Sequence, residues 1–181
     1  SPSEKRRNRV PVTLIGVLTD FAPHSYWINE GVDYYVVPHA ECRERFIKKG
    51  VCPDAIKVYG IPIRAKFSRQ LDKQPLAQKF GFDLNIPVVL IMGGGQGLGP
   101  IKQIVKSLSD IPVPLQMIVI TGMNAGLSRW TRAEAARASK KILVYEYAHN
   151  VDELMEAATL IVTKPGGMTT SECLAKGLPM V

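Results

Sequence analysis

Cysteine is scarce in this chain and badly placed for cross-linking. Cys42, Cys52 and Cys173 form neither a CxxC pair nor a zinc-like spacing. An odd, scattered set fits a reduced intracellular protein better than a disulfide framework. Long apolar runs are missing too. None approaches the ~18–20 residues that a membrane-spanning helix needs, and the first residues show no signal-peptide pattern. Acidic residues are outnumbered, 16 against 23 basic ones, for a formal net charge of +7. That excess favours anionic partners such as phosphates, nucleic acid or acidic lipid headgroups, although solvated helix faces alone would also explain it. Aromatic residues are few: the basic stretches "RERFIKK", "RAKFSRQ" and "RWTRAEAARASKK" hold one each, which is not the interleaving that a stacking platform requires. Nucleic acid, which needs such a stacking platform, is therefore not expected as a partner.

What is present is an alternation of short apolar runs and helical stretches. Residues 1–11 read as a basic linker or frayed end. After them, strands are expected in "VTLIGVLT", "DYYVVP", "IKVYG", "PVVLIMG", "LQMIVITG", "KILVYEY" and "TLIVTK". Helices are expected at 40–49, near Pro75, and at 98–109, 128–138, 151–158 and 169–176. Runs apolar on both faces and separated by helices argue for parallel strands covered by helices, an α/β architecture. "GIPIRAKFSRQLDKQP" breaks the pattern with two prolines and polar residues. It divides the chain into a domain end at 12–65 and a second domain from 66 to 181. The first has too few strands to be whole, and the second stops as "LPMV" should enter a sheet. The expectation is of a chain truncated at both ends.

Five glycines in seven residues mark "MGGGQGLG", from Gly93 to Gly99. They follow a strand and precede a helix, whose free N–H groups and positive dipole end suit a phosphate. A tight turn with no ligand is the alternative. A P-loop requires GxxxxGK[ST], which is absent. The GxGxxG dinucleotide pattern fails as well, and "LQMIVITG" ends without the acidic residue that would hold a ribose.

"TLIVTKPGGMTTSECLAKGLP" supplies a second strand–glycine–helix junction. Two such turns at one carboxyl edge could hold a diphosphate between them, with Glu172 accepting from ribose hydroxyls. A competing reading makes Thr169 and Glu172 a T-x-x-E capping box, with no ligand at all.

Taken together, "MGGGQGLG", "TKPGGMTTSECLAKGLP", "GIPIR" and "TDFAPHSYW" resemble the diacylglycerol glycosyltransferases. These include the monogalactosyldiacylglycerol synthases and the processive diacylglycerol glucosyltransferases. The resemblance covers nearly the whole chain after the basic leader. It implies a GT-B fold of Rossmann-like parallel sheets with flanking helices, the first domain binding the acceptor and the second a UDP-sugar. It also implies inverting transfer of a hexose from UDP-glucose or UDP-galactose to diacylglycerol, with no cofactor and no metal ion. Gly95, Gln96 and Gly97 would then lie near the diphosphate. Lys164, Pro165, Gly166, Gly167 and Thr169 would line the other side, and Glu172 would hold the ribose. "YEYAHNVDEL" matches a segment whose backbone receives the uracil, which makes Tyr147, Ala148 and His149 base-side residues.

A general base must take the acceptor proton, and His24, in a loop after the first strand, is the acceptor-side candidate. His39, beside Pro38, reads as structural. Diacylglycerol resides in a bilayer, so the expected location is cytoplasmic and peripheral at an anionic membrane surface. Phe21, Tyr26 and Trp27 are either membrane-contacting or core aromatics. The sugar-contacting segments of the family lie outside this sequence, so the chain alone is expected not to transfer sugar. Other readings are a transferase acting on a different lipid acceptor and a non-catalytic nucleotide-sugar sensor.

Overall fold

The computed structural model describes residues 12–22 and 24–181. The expected basic leader, 1–11, lies outside the described residues. The chain divides into two compact units, Ser1–Pro62 and Ile63–Val181.

The first unit holds a three-stranded parallel sheet in the order β1 (Ile15–Val17), β2 (Tyr34–Val37), β3 (Ile56–Val58). One helix, α1 (Ala40–Lys48), packs on it. β1 is much shorter than the run Val12–Thr19 predicts, and among the described residues it pairs with β2 alone. Leu18, Tyr35, Val37 and Ile56 turn towards α1 and make a core with Cys42 and Phe46. Gly16 leaves room for the Tyr35 ring: a Cβ there would lie 3.0 Å from it. The opposite face carries Ile15, Val17 and Tyr34, all exposed among the described residues. Both expectations for the loop aromatics can be read here. Phe21, Tyr26 and Trp27 are exposed among the described residues and do not join the core of this unit. His39 is structural: its Nε2 lies 3.0 Å from the Phe21 carbonyl oxygen and 3.3 Å from Cys42 Sγ.

The second unit is a parallel sheet in the order β6 (Ile142–Tyr145), β5 (Gln116–Ile120), β4 (Val88–Met92), β7 (Leu160–Thr163). Met180 bridges to Ile161 beyond β7, so "LPMV" does reach the sheet edge. Successive residues of β4 and β5 feed two different cores. Leu90, Ile118 and Ile120 pack with α2 (Lys73–Phe80), α5 (Val151–Ala157) and α6 (Gly167–Lys176). Val89, Ile91, Met117 and Val119 pack with α3 (Ile101–Asp110) and α4 (Ala125–Ala135). This is the doubly wound, Rossmann-like arrangement of GT-B proteins.

Local chemistry sets the helix ends. The Asp72 carboxylate accepts from the Gln74 N–H at the start of α2, and Gly81 closes that helix in the left-handed region. Asn124 caps α4 through the Leu127 N–H, so the helix starts at Ala125 and not at the expected Ser128. α3 starts at Ile101 and not at Leu98, because Gly97 and Gly99 adopt positive φ and Pro100 precedes the first turn. Gln116 is buried yet satisfied: it accepts from the Asp83 N–H and donates to the Asp83 and Ile86 carbonyls, pinning the entry to β4.

Candidate functional site

β4 and β7 are parallel neighbours, with Met92 paired to Thr163. The chain therefore leaves both strands at the same level of the same sheet edge. One exit becomes the loop Gly93–Pro100, the other the turn Lys164–Gly166. The loops touch: a Cβ on Gly94 would lie 3.1 Å from Lys164 Cε. β5 and β6 end at this carboxyl edge too, because all four strands run parallel. The structure thus brings Gly94 beside Lys164, while Gly95, Gln96 and Gly97 follow on the β5 side of the same edge, which Pro165, Gly166 and the segment Tyr147–His149 share.

The glycines of the first loop do different jobs. Gly97 has φ +60°, and a Cβ there would sit 2.1 Å from the Thr121 carbonyl oxygen. Gly122, at the end of β5, faces the Gly95 carbonyl, which also accepts from the Met123 N–H at 2.9 Å. These positions fold the loop onto β5 and need no ligand to explain them. Gly95 differs: it is exposed, and a Cβ there would meet nothing within 4 Å. Gln96 beside it is exposed as well.

The second turn opens α6. Gly166 is the N-cap, and no side chain caps the helix. Thr169 falls inside the first turn and Glu172 a turn later, so the T-x-x-E capping box does not form. The reason is the helix start: Gly166–Gly167 lets α6 begin two residues earlier than Thr169. Consequently the N–H groups of Gly167, Met168 and Thr169 have no protein acceptor among the described residues. They present the positive end of the helix dipole at the edge.

Glu172 is half-buried, and burial pushes its carboxyl above the usual glutamate value. The charges of Arg64 and Lys66 pull it down, but less strongly. Sequence reasoning missed both cations as site neighbours. Arg64 ends the motif "GIPIR", which was a usable signal; Lys66 carries none. Next to Glu172, Cys173 is fully buried and its thiol is pushed up to about 11, chiefly by that burial. It is a packing residue and no nucleophile.

Tyr147 is 67% exposed, and its ring meets His149 edge-on at 5.0 Å. Ala148 between them packs against the core beneath. His24 belongs to the first unit. It stands at the mouth of the 3₁₀ turn Ser25–Trp27, where Nδ1 accepts from the Tyr26 N–H at 3.4 Å and the two rings lie 4.4 Å apart.

Residues 2–63 match the family model for monogalactosyldiacylglycerol (MGDG) synthase, and residues 88–181 match that for the glycosyltransferase family 28 C-terminal domain. The chain is 34% identical over 182 residues to the processive diacylglycerol beta-glucosyltransferase of Bacillus subtilis (strain 168), covering 99% of this chain and 47% of that protein. It is 32% identical over 181 residues to the protein of the same name from Bacillus cereus (strain B4264), covering 99% and 46%. The chain spans about half the length of these curated relatives. Among solved structures, Anabaena Alr3699/HepE in complex with UDP and glucose superposes with a TM-score of 0.59 at 17% identity, over 93% of this chain and 52% of that one. At that identity the likeness speaks for the fold.

Proposed function

Because the chain belongs to the glycosyltransferases that join a monogalactosyldiacylglycerol synthase segment to a family 28 C-terminal domain, we propose that it holds the donor site of an enzyme transferring a hexose from a UDP-sugar to diacylglycerol, with inversion. The relatives named above are diacylglycerol glucosyltransferases. The Anabaena protein that shares the fold has been crystallised with UDP-glucose. Both favour this donor and acceptor, and glucose as the hexose.

The observation that carries the reading is the register of Met92 with Thr163, which sets two glycine turns side by side at one sheet edge. A diphosphate between them would meet the open backbone at Gly95 and Gln96 on one side. On the other it would meet Lys164, Pro165 and the free N–H groups from Gly167 to Thr169. As the glycosidic bond to UDP breaks, negative charge grows on the departing phosphate. Oriented N–H donors and the α6 dipole stabilise that charge at the point where it develops. Glu172 accepts from the ribose hydroxyls, and the backbone at Tyr147–His149 receives the uracil. His24 takes the proton from the acceptor hydroxyl, so that its oxygen can attack the anomeric carbon from the face opposite UDP.

Contact with the bilayer would come from exposed Phe21, Tyr26 and Trp27 together with the basic surface. Among the described residues no helix is long and apolar enough to cross a membrane, and the proposed association is peripheral.

The test is to titrate UDP, UDP-glucose, UDP-galactose and NAD against the full-length protein, then assay hexose transfer to diacylglycerol in vesicles. Binding of UDP and a UDP-hexose with transfer to lipid is expected. Preferential binding of NAD, or UDP-hexose binding without any transfer, would overturn the assignment; the latter outcome is that of a nucleotide-sugar sensor.

A further inference from the structure

Between β6 and α5 the chain crosses the carboxyl edge as Glu146–Asn150. Among the described residues, no protein group bonds the main-chain N–H or C=O of Tyr147 or Ala148. The next carbonyl, that of His149, is held: the Lys66 ammonium donates to it at 2.8 Å. The same nitrogen donates to Asp152 Oδ1 at 2.6 Å, in the first turn of α5. That ion pair is partly shielded, with side-chain exposures of 32% and 15%. Lys66 is itself anchored. It lies in the 3₁₀ turn Ala65–Ser68, whose Phe67 is buried in the core. Further along, Asn150 donates to Glu153, which also pairs with Lys79. The free peptide groups at Tyr147 and Ala148 are thus flanked by a strand on one side and a charged clamp on the other.

Holding the His149 carbonyl fixes the plane of the 149–150 peptide, and with β6 pinned at Tyr145 by the Thr121 N–H the intervening peptides are anchored at both ends, which narrows the directions they can take. Uracil presents an N–H donor flanked by carbonyl acceptors on its pairing edge. Cytosine presents a ring nitrogen acceptor beside an amino donor, the reverse at two positions. A free main-chain N–H and C=O can tell them apart only if their directions are held.

The geometry points to Lys66 as a positioning residue for base recognition: by clamping the His149 carbonyl to Asp152, it aims the free peptide groups at Tyr147–Ala148 so that uracil is selected over cytosine. This rests on the reading above, in which the segment Tyr147–His149 meets the nucleotide base. Lys66 acts through the peptide it holds; its charge also bears on Glu172, an effect that UDP and CDP share.

The experiment measures binding of UDP, CDP and inorganic pyrophosphate to the full-length protein and to its Lys66→Met, Lys66→Arg and Asp152→Asn variants. For Lys66→Met the UDP dissociation constant should rise about tenfold, as expected for losing one charge-assisted hydrogen bond. The UDP-over-CDP preference should fall by a similar factor, while pyrophosphate, which makes no base contact, binds as before. Lys66→Arg, which keeps charge and donors, should restore most of the preference, and Asp152→Asn should weaken it. If Lys66→Met does not fold, Asp152→Asn decides by the same criteria. An unchanged UDP-over-CDP ratio, or parallel loss of UDP and pyrophosphate, would overturn the role of Lys66 while leaving the donor site standing. A wild-type protein that binds neither UDP nor pyrophosphate would remove the donor site and this inference together.

Discussion

The two units are built from the same kind of strand and are buried differently. In the second, β5 is buried at every residue and α-helices cover both faces of the sheet. In the first, α1 covers one face, and the other shows Ile15, Val17 and Tyr34 to solvent among the described residues. Lys57 reaches over the Tyr34 ring there, its Nζ 5.9 Å from the ring centre. The second unit therefore has the rigidity that a precisely spaced ligand site requires, with four strand ends fixed at one edge. The first unit has an exposed aromatic loop and a histidine, the features on which the proposed acceptor role draws.

The largest expected effect separates these roles in turnover. His24→Ala should lower kcat of the full-length enzyme by about 10²–10⁴, the usual worth of a general base, and leave UDP affinity unchanged. Steady-state kinetics beside UDP titration checks this; a loss of UDP affinity would place His24 on the donor side instead.

Next in size is the ion pair that ties α5 to α6. Lys176 and Glu156 lie 2.6 Å apart with side chains 2% and 12% exposed, and Lys176 also donates to the Arg69 carbonyl. Lys176→Met strands the Glu156 carboxylate and should cost about 3–5 kcal/mol in urea unfolding. A cost below about 1 kcal/mol would show the pair to be solvated.

The burial contrast has a matched pair of substitutions. Ile118→Ala, at a fully buried position, should cost about 2–5 kcal/mol. Ile15→Ala, at a position 52% exposed, should stay within about 0.5 kcal/mol in the 181-residue chain. Equal costs would erase the difference between the two sheets.

The subtlest effect is in pH. Burial raises the folded-state value of Glu172 above its unfolded one. Its favourable contribution to stability is therefore fully present below the unfolded value and is lost as pH rises through the raised one. Glu172→Gln should be the more stable protein at neutral pH, with the gap closing in acid, while binding UDP more weakly. UDP affinity of the wild type should climb over the same pH window as the carboxylate forms. Melting temperatures and UDP titrations across pH 4–8 read both; a variant less stable than wild type at neutral pH would contradict the burial argument.

Much of the fold is legible in the sequence. "VVLIM" is apolar at every position and "QMIVI" at every position after Gln116, and both proved to be two-faced central strands. The helix ends were harder. Thr169 and Glu172 have the spacing of a capping box, but Gly166–Gly167 starts α6 upstream and leaves both inside the helix. Likewise Asn124 outcompetes Ser128 as the start of α4, because its side chain reaches the Leu127 N–H. The glycine loop was legible as a loop but not in its division of labour. Only coordinates show that Gly97 answers to Thr121 while Gly95 faces open space. Lys66 could not be found by pattern at all, since its partner carbonyl lies 83 residues further along the chain.

In the proposed donor site a diphosphate is gripped from two sides. Amide hydrogen exchange of the full-length protein, with and without saturating UDP, tests this most directly. Protection that grows together at Gly95–Gly97 and at Gly167–Thr169 is the predicted result; protection of one segment without the other, or of neither, would contradict it.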